Sequence, residues 1–282
     1  MILNASGCLD ALTAPEVVLQ LDAFVTKTVT PLPRPGNAPA RIAETEFGML
    51  NSIGLANPGR ERFLAETLPR LRKLGLPLWV SVGGFSAGDY AETCERLDGV
   101  TIELNLSCPN VDEAPESAAE IVAACRRATE LQLYAKLSPA SWDIAEVARA
   151  VEAAGADGLS LVNTMRGLAL DQATLQPILG TATGGYSGPA LRPIALAAVF
   201  ACRRATALPI VGMGGVTSGR DVLELVGAGA SDVALGTILF ADPDSPARIR
   251  AEIDTELDRL GFDSLDSVWG VAHVGGSVLS GR

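Results

Sequence analysis

Histidine is nearly missing from this chain: His273 stands alone near the C-terminal end. A single histidine leaves little for histidine-based catalysis or metal binding, and at this place it reads as a surface or tail residue. Cysteine is sparse as well. Cys8, Cys94, Cys108, Cys125 and Cys202 are widely spaced and form no CxxC, so neither a zinc site nor an iron–sulfur cluster is expected within the chain. No run of about 18 apolar residues occurs, so no transmembrane helix is expected. Met1-Ile2-Leu3-Asn4 has neither the basic n-region nor the long apolar h-region of a signal peptide. These absences lead to the expectation of a cytoplasmic protein. Positive charge is in deficit too, with 22 Lys plus Arg against 33 Asp plus Glu and a net charge of −11. An acidic surface argues against nucleic acid or an anionic membrane as main partner. An anionic ligand would need a basic pocket set against that global field.

What is present is a regular alternation. The 282 residues are 48% hydrophobic, enough for one large core. Strand-like runs occur at Ile2–Ser6, Phe24–Val29, Leu78–Val82, Thr101–Leu106, Gln132–Leu137, Gly158–Asn163, Pro209–Gly212 and Asp232–Gly236. Several are almost continuously apolar, as parallel strands buried on both faces are. Helical periodicity fills the gaps, at Arg62–Leu74, after Ser86, and over Glu116–Thr129, Asp143–Ala154, Ile194–Thr206, Gly219–Ala228 and Ser245–Leu260. Their ends carry the chemistry of helix ends: Ser86 and Ser218 as caps, Pro193 in a first turn, and Gly155 and Gly261 as stops. Eight strand–helix units predict a (β/α)8 TIM barrel in the α/β class, as a single domain over 1–282, with a doubly wound open sheet as the alternative. Two excursions interrupt the rhythm, from Thr30 to Gly59 and from Met165 to Pro189. Both follow strands, the second and the sixth, so both belong on the C-terminal face of a barrel, where long loops build lids and pockets.

The strand ends hold the chemistry. In Thr101-Ile102-Glu103-Leu104-Asn105-Leu106-Ser107-Cys108-Pro109-Asn110, alternation stops at a proline that cannot donate to a ladder. Two amides and a thiol sit at that stop. Asn4-Ala5-Ser6-Gly7-Cys8 ends the first strand and Lys27-Thr28 the second, Asn51 lies in the first excursion, Lys136 lies in the fifth strand, and Asn163-Thr164 end the sixth. Four asparagines (Asn51, Asn105, Asn110 and Asn163), two lysines and Cys108, with no carboxylate, do not make a hydrolytic or metal site. They suit a planar ring edged with carbonyl and N–H groups, because an amide pairs both ways. The lysines would neutralise an anion or a developing negative charge. Glycine loops follow the last two strands, in Gly212-Met213-Gly214-Gly215 and Leu235-Gly236-Thr237, where barrels commonly hold phosphate on backbone N–H groups and a helix N-terminus. Structural alternatives stand beside each reading. Cys108 could be an apolar filler and Cys8 either filler or functional thiol, while Cys94, Cys125 and Cys202 fall on helix faces and read as packing. Lys27 and Lys136 could form salt bridges across the barrel, Asn51 could shape a turn, and the glycine loops could be turns only.

Together these motifs resemble the dihydroorotate dehydrogenase family, class 1. The resemblance is carried by Asn4-Ala5-Ser6-Gly7-Cys8, Lys27-Thr28-Val29-Thr30, Gly36-Asn37-Ala38-Pro39-Ala40-Arg41, Gly48-Met49-Leu50-Asn51-Ser52-Ile53-Gly54-Leu55, Asn105-Leu106-Ser107-Cys108-Pro109-Asn110, Ala135-Lys136-Leu137-Ser138-Pro139, Gly155-Ala156-Asp157-Gly158, Gly184-Gly185-Tyr186-Ser187-Gly188-Pro189 and Gly212-Met213-Gly214-Gly215. Gly184-Gly185-Tyr186-Ser187-Gly188-Pro189, with Asn163-Thr164-Met165-Arg166-Gly167, makes it more similar to the NAD-linked class 1B catalytic subunit than to the fumarate-linked class 1A. The N-terminus and the segment Val111–Glu116 look shorter than is usual in the family.

The resemblance implies an FMN flavoprotein, an oxidoreductase converting dihydroorotate to orotate in pyrimidine biosynthesis. Cys108 would remove the C5 proton while FMN N5 accepts the hydride from C6. Asn51, Asn105, Asn110, Asn163 and Thr164 would bind the pyrimidine and its carboxylate. Lys27 would lie between substrate and flavin, and Lys136 would face the flavin pyrimidine end. Ala5, Ser6, Thr28, Ser187 and Gly188 would line the flavin, and Gly214, Gly215, Gly236 and Thr237 would hold its phosphate. It also implies a homodimer core and a partner subunit carrying FAD and a [2Fe-2S] cluster. Two other functions fit the same residues: an FMN oxidoreductase acting on another pyrimidine-like ring, and a barrel that binds flavin, or none, without this catalysis.

Overall fold

The computed structural model describes residues 1–106 and 115–274. Eight parallel strands form the centre: β1 (Ile2–Asn4), β2 (Phe24–Val25), β5 (Leu78–Val82), β6 (Thr101–Asn105), β7 (Leu133–Leu137), β8 (Gly158–Leu161), β11 (Ile210–Met213) and β12 (Asp232–Leu235). They pair in the order β1-β12-β11-β8-β7-β6-β5-β2. The circle closes between β1 and β2 through a parallel bridge at Leu3 and Ala23. The Asn4 side chain completes that seam, donating to the Val25 carbonyl at 2.8 Å and accepting the Val25 amide at 2.9 Å. This is the expected TIM barrel.

Period-two alternation separates two cores. Leu78, Val80, Val82, Ile102, Leu104, Leu133, Ala135 and Leu137 point outward and are buried against the helices. Leu3, Val25, Trp79, Tyr134, Val211, Met213 and Ala234 point inward and fill the barrel. The Trp79 and Tyr134 rings lie 4.4 Å apart between centroids. Gly158 makes room for Tyr134, whose ring fills the space a Cβ would need.

The connecting helices are α1 (Pro15–Val18), α2 (Arg60–Arg62), a π-helical segment (Phe63–Thr67), α3 (Leu68–Arg72), α4 (Ala87–Glu95), α5 (Pro115–Ala128), α6 (Ile144–Ala153), α7 (Arg192–Ala205), α8 (Gly219–Gly227), α9 (Ile238–Ala241), α10 (Ser245–Leu260) and α11 (Leu265–Val268). Ser86 caps α4 by accepting the Asp89 amide, and Asp143 caps α6 by accepting two amides. Gly261 ends α10 in the left-handed conformation. Cys94, Cys125 and Cys202 are fully buried on helix faces, as read. His273 departs from a tail residue: its ring stacks on Phe200 at 4.3 Å and bonds the Ala228 carbonyl at 2.9 Å, joining the short turn at Val271–His273 to α7 and the end of α8.

The two excursions are not irregular loops. The first contributes β3 (Ile42–Thr45) and β4 (Gly48–Asn51), and the second β9 (Met165–Leu168) and β10 (Thr183–Ser187). They join in one antiparallel sheet, ordered β3-β4-β10-β9. Asn51 pairs with Gly185 in its register, so Asn51 is a strand residue rather than a turn former.

The second barrel strand is also shorter than Phe24–Val29, and the reason bears on function. The ladder to β5 runs Phe24 N to Pro77 O, Thr26 N to Trp79 O, and then Val29 N to Ser81 O. Three residues on one side oppose two on the other, which is a β-bulge. The Thr26 hydroxyl accepts the Ser81 amide at 3.1 Å and so steadies the interruption. Alternation is broken by one residue, and Lys27 and Thr28 both turn toward the barrel mouth.

Candidate active site

The mouth at the C-terminal ends of the strands gathers polar residues from nearly every barrel element. Asn105, at the end of β6, is the hub. Its Nδ2 donates to Thr28 Oγ1 at 3.1 Å, and its Oδ1 accepts from Asn163 Nδ2 at 3.1 Å. Thr28 Oγ1 in turn lies 3.0 Å from Ser81 Oγ. Asn163 Oδ1 accepts the Thr164 amide at 2.8 Å. Below the hub, Tyr90 of α4 donates its hydroxyl to the Asn105 carbonyl at 2.7 Å. A row of amides and hydroxyls therefore runs from β2 through β6 to the end of β8, with each amide orientation fixed by its neighbour. Above it, Asn51 on β4 donates to the Gly185 carbonyl at 3.3 Å. Thr164 packs so closely against Gly185 that a Cβ there would overlap its side chain.

Two lysines border this row. Lys136, on β7 opposite Asn105, is buried, and its ammonium reaches Ser6 Oγ at 3.0 Å and Glu103 Oε1 at 3.5 Å. Lys27 is half-buried and crosses over Gly7, where a Cβ would lie 2.9 Å from both its Cδ and its Nζ. Gly7 is favoured by its positive φ of 79°, and a side chain there would also push the Lys27 chain aside. Burial pulls the Lys27 ammonium below its ordinary pKa, Cys8 opposes that shift, and the Lys136 charge adds to it. Half-buried Cys8 faces the same two lysines. Burial raises its pKa more than the lysines lower it, so this thiol is held away from its thiolate form.

Glu103 overturns the reading of a pocket without a carboxylate. It is 1% exposed, on the same inward face of β6 as Asn105 and two residues before it. Lys136 thus has the salt-bridge partner that its burial demanded, while Lys27 has no carboxylate among the groups that shift its pKa. Among the described residues, two ammonium groups against one carboxylate leave the mouth positive inside an acidic protein. That is a setting for an anion, and it fits both a flavin phosphate ester and a substrate carboxylate.

The glycine loops meet where a phosphate would be held. A Cβ on Gly215 would come within 2.8 Å of the Gly188 carbonyl, and one on Gly236 would touch Ala5 Cβ at 3.7 Å and Cys8 Sγ at 3.8 Å. Thr237 donates its hydroxyl to Ser187 Oγ at 2.8 Å. The second excursion and the loops after β1, β11 and β12 are therefore contiguous. The first turn of α8 is not part of this cradle. Asp221 accepts the Thr217 and Ser218 amides, Ser218 accepts the Asp221 amide, and Glu252 accepts the Gly219 amide. Arg192 pairs with Asp221 and locks the arrangement. A phosphate here is left to the glycine loops and Thr237 rather than to that helix N-terminus.

The structure thus brings together Ala5, Ser6, Lys27, Thr28, Asn51, Asn105, Lys136, Asn163, Thr164, Ser187, Gly188, Gly214, Gly215, Gly236 and Thr237 at one mouth. Cys108 and Asn110, with the short segment after them, lie outside the described residues. Glu103, Gly7 and Tyr90 were missed by sequence reasoning. Glu103 had the same signal as the lysines, a charge inside an apolar strand in phase with Asn105.

A family model described as Dihydroorotate dehydrogenase matches residues 1–257. Among curated proteins, "Dihydroorotate dehydrogenase B (NAD(+)), catalytic subunit" of Geobacillus sp. (strain WCH70) is 43% identical over 262 residues, covering 89% of this chain and 84% of that protein. The protein of the same name from Listeria welshimeri is 43% identical over 260 residues, covering 88% and 86%. That from Anoxybacillus flavithermus is 43% identical over 261 residues, covering 89% and 84%.

Proposed function

The chain belongs to the dihydroorotate dehydrogenase family, and from this we propose that it oxidises dihydroorotate to orotate in pyrimidine biosynthesis, as the FMN-binding catalytic subunit of a class 1B enzyme. The observation that carries the reading is the oriented row Thr28–Asn105–Asn163 beside two lysine ammonium groups. An amide row offers fixed donors and acceptors to the edge of a pyrimidine ring, and the cations meet its carboxylate.

Two bonds to hydrogen must break in the substrate, one to a proton at C5 and one to a hydride at C6. FMN, when bound, supplies the acceptor for the hydride. The protein supplies the base, and we assign that role to Cys108, which takes the C5 proton on its thiolate sulfur. An ordinary cysteine titrates near about 8.5, so this base works best on the mildly alkaline side of neutrality. Asn51, Asn105, Asn110, Asn163 and Thr164 hold the ring so that C5 faces that sulfur, in the manner of an entropy trap. Lys27 is assigned to the junction of substrate and flavin, and Lys136 to the pyrimidine end of the flavin, where negative charge develops on reduction. Ala5, Ser6, Thr28, Ser187 and Gly188 line the flavin, and Gly214, Gly215, Gly236 and Thr237 receive its phosphate.

The relatives are named as catalytic subunits of an NAD(+) enzyme. We extend that to this chain as a homodimeric core in the cytoplasm, a single barrel domain over residues 1–282, with a partner subunit carrying FAD and a [2Fe-2S] cluster. Among the described residues no helix is long and apolar enough to cross a membrane. Anaerobic addition of dihydroorotate to the purified protein tests the reading. The flavin absorbance is expected to bleach, and reoxidation by NAD+ is expected only with the partner subunit present. A flavin spectrum untouched by dihydroorotate, or rapid direct reoxidation by fumarate or quinone, overturns it.

A further inference from the structure

Glu103 has no place in the chemistry above, yet it is among the most deeply buried charges in the molecule. Its side chain is 2% exposed and that of Lys136 is 4% exposed. Desolvating both groups is expensive, and an ion pair of this kind contributes little to stability over an apolar filling of the same volume. The barrel interior shows the apolar solution directly below, in Trp79, Tyr134, Val211 and Met213. The pair also does not close on itself. The Lys136 ammonium stands between Glu103 Oε1 at 3.5 Å and Ser6 Oγ at 3.0 Å, and Ser6 belongs to the loop assigned to the flavin. Glu103 holds the ammonium from the floor of the mouth, and Ser6 holds it from the rim.

Resting on the reading that FMN occupies this mouth, we propose that Glu103 is a positioning residue that sets the reduction potential of the flavin through Lys136. A flavin gains negative charge on two-electron reduction, and a nearby ammonium favours the reduced form. The carboxylate partly cancels that ammonium. Glu103 thereby keeps the flavin from becoming too easily reduced, and so keeps it able to pass electrons onward. An ammonium and a negatively charged flavin several ångströms apart in a partly buried site attract by more than about 1 kcal/mol even at an effective dielectric constant of about 20, and the carboxylate that holds the ammonium at the floor of the mouth offsets part of that. Removing the carboxylate charge is therefore expected to raise the ratio of reduced-to-oxidised FMN affinity on the order of tenfold, which is about 30 mV for a two-electron couple.

The test is redox titration of the FMN-loaded holoenzyme in the wild type, Glu103→Gln, Glu103→Asp and the double variant Glu103→Gln/Lys136→Gln. Glu103→Gln is expected to shift the potential upward by that tenfold ratio. Glu103→Asp, with its charge one methylene further from Lys136, is expected to shift it the same way by less, and it carries the test alone if Glu103→Gln does not fold. Against a Lys136→Gln background, Glu103→Gln is expected to add only the smaller shift that the carboxylate exerts on the flavin directly. A wild type that binds no FMN overturns the assignment of the mouth itself. A wild type that binds FMN, with Glu103 variants at an unchanged or lower potential, overturns the role of Glu103. A full shift that persists without Lys136 overturns the route through it.

Discussion

The barrel interior has two halves built by opposite rules. The lower half holds Leu3, Val25, Trp79, Tyr134, Val211 and Met213, apolar or aromatic and closely packed. Burial there pushes the Tyr134 phenol up to about 12, so it is neutral over any ordinary pH. The upper half holds Glu103, Lys136, Asn105 and Thr28, equally buried but polar and bonded in pairs, Lys136 with Glu103 and Asn105 with Thr28. The same strands supply both halves, and only Ala135 separates Tyr134 from Lys136 along β7. The lower half is filled for stability, whereas the upper half keeps buried polar groups that an apolar core would replace. That contrast locates function without reference to any ligand.

Four substitutions would break or sharpen the contrast. Cys108→Ala is expected to have the largest effect, lowering turnover by roughly 10²–10⁴-fold, the usual contribution of a general base. Flavin absorbance and thermal midpoint should stay as in the wild type, and wild-type-like dihydroorotate oxidation would reject the base assignment. Trp79→Ala should lose about 3–5 kcal/mol of stability, as aromatic truncations in cores do, read from urea denaturation. If the lower half is only a plug, the folded fraction of this variant retains flavin affinity. Asn163→Ala leaves one acceptor of Asn105 unpaired, which costs about 1–3 kcal/mol. Steady-state kinetics should show this as a KM for dihydroorotate raised by about tenfold or more, with flavin content unchanged.

The smallest effect concerns Lys27. Burial lowers its folded-state pKa, so between that value and the ordinary lysine range the unfolded chain binds more protons. Unliganded protein should therefore gain stability as pH rises through that alkaline window. Lys27→Met should flatten this slope and stabilise the unliganded protein at neutral pH, although it damages the site. An unchanged slope in thermal melts across that range would show that Lys27 is better compensated than its neighbours suggest.

Much of the fold was readable because parallel strands and capped helices are local signals. Leu78–Val82 is buried along its whole length, and Ser218 with Asp221 forms the capping box that its sequence promises. The positions of Lys27, Asn105, Lys136 and Asn163 at strand ends were readable for the same reason. What stayed hidden depends on pairing between distant segments. The bulge at residues 26–28 exists only against β5, and Asn51 becomes a strand residue only against Gly185. Glu103 was visible as a charge in an apolar strand, but its partner comes from the next strand of the barrel. His273 looked like a tail residue because nothing local announces Phe200 and Ala228 as its neighbours.

The small antiparallel sheet has a kinetic consequence. Asn51 and Gly185 lie 134 positions apart in the chain, and among the described residues the patch beneath them contains Ala43, Leu50 and Leu179, with Ala169 and Tyr186 beside it. So remote a pairing over so small a core forms after the segments between it have ordered, and it opens before they do. The ring of amides would thus be completed last on folding. In hydrogen exchange, the amides of β4 and β10 should give up their protons long before those of β7. Asn51 would then ride on a door that opens against a better protected frame, the Asn105 row.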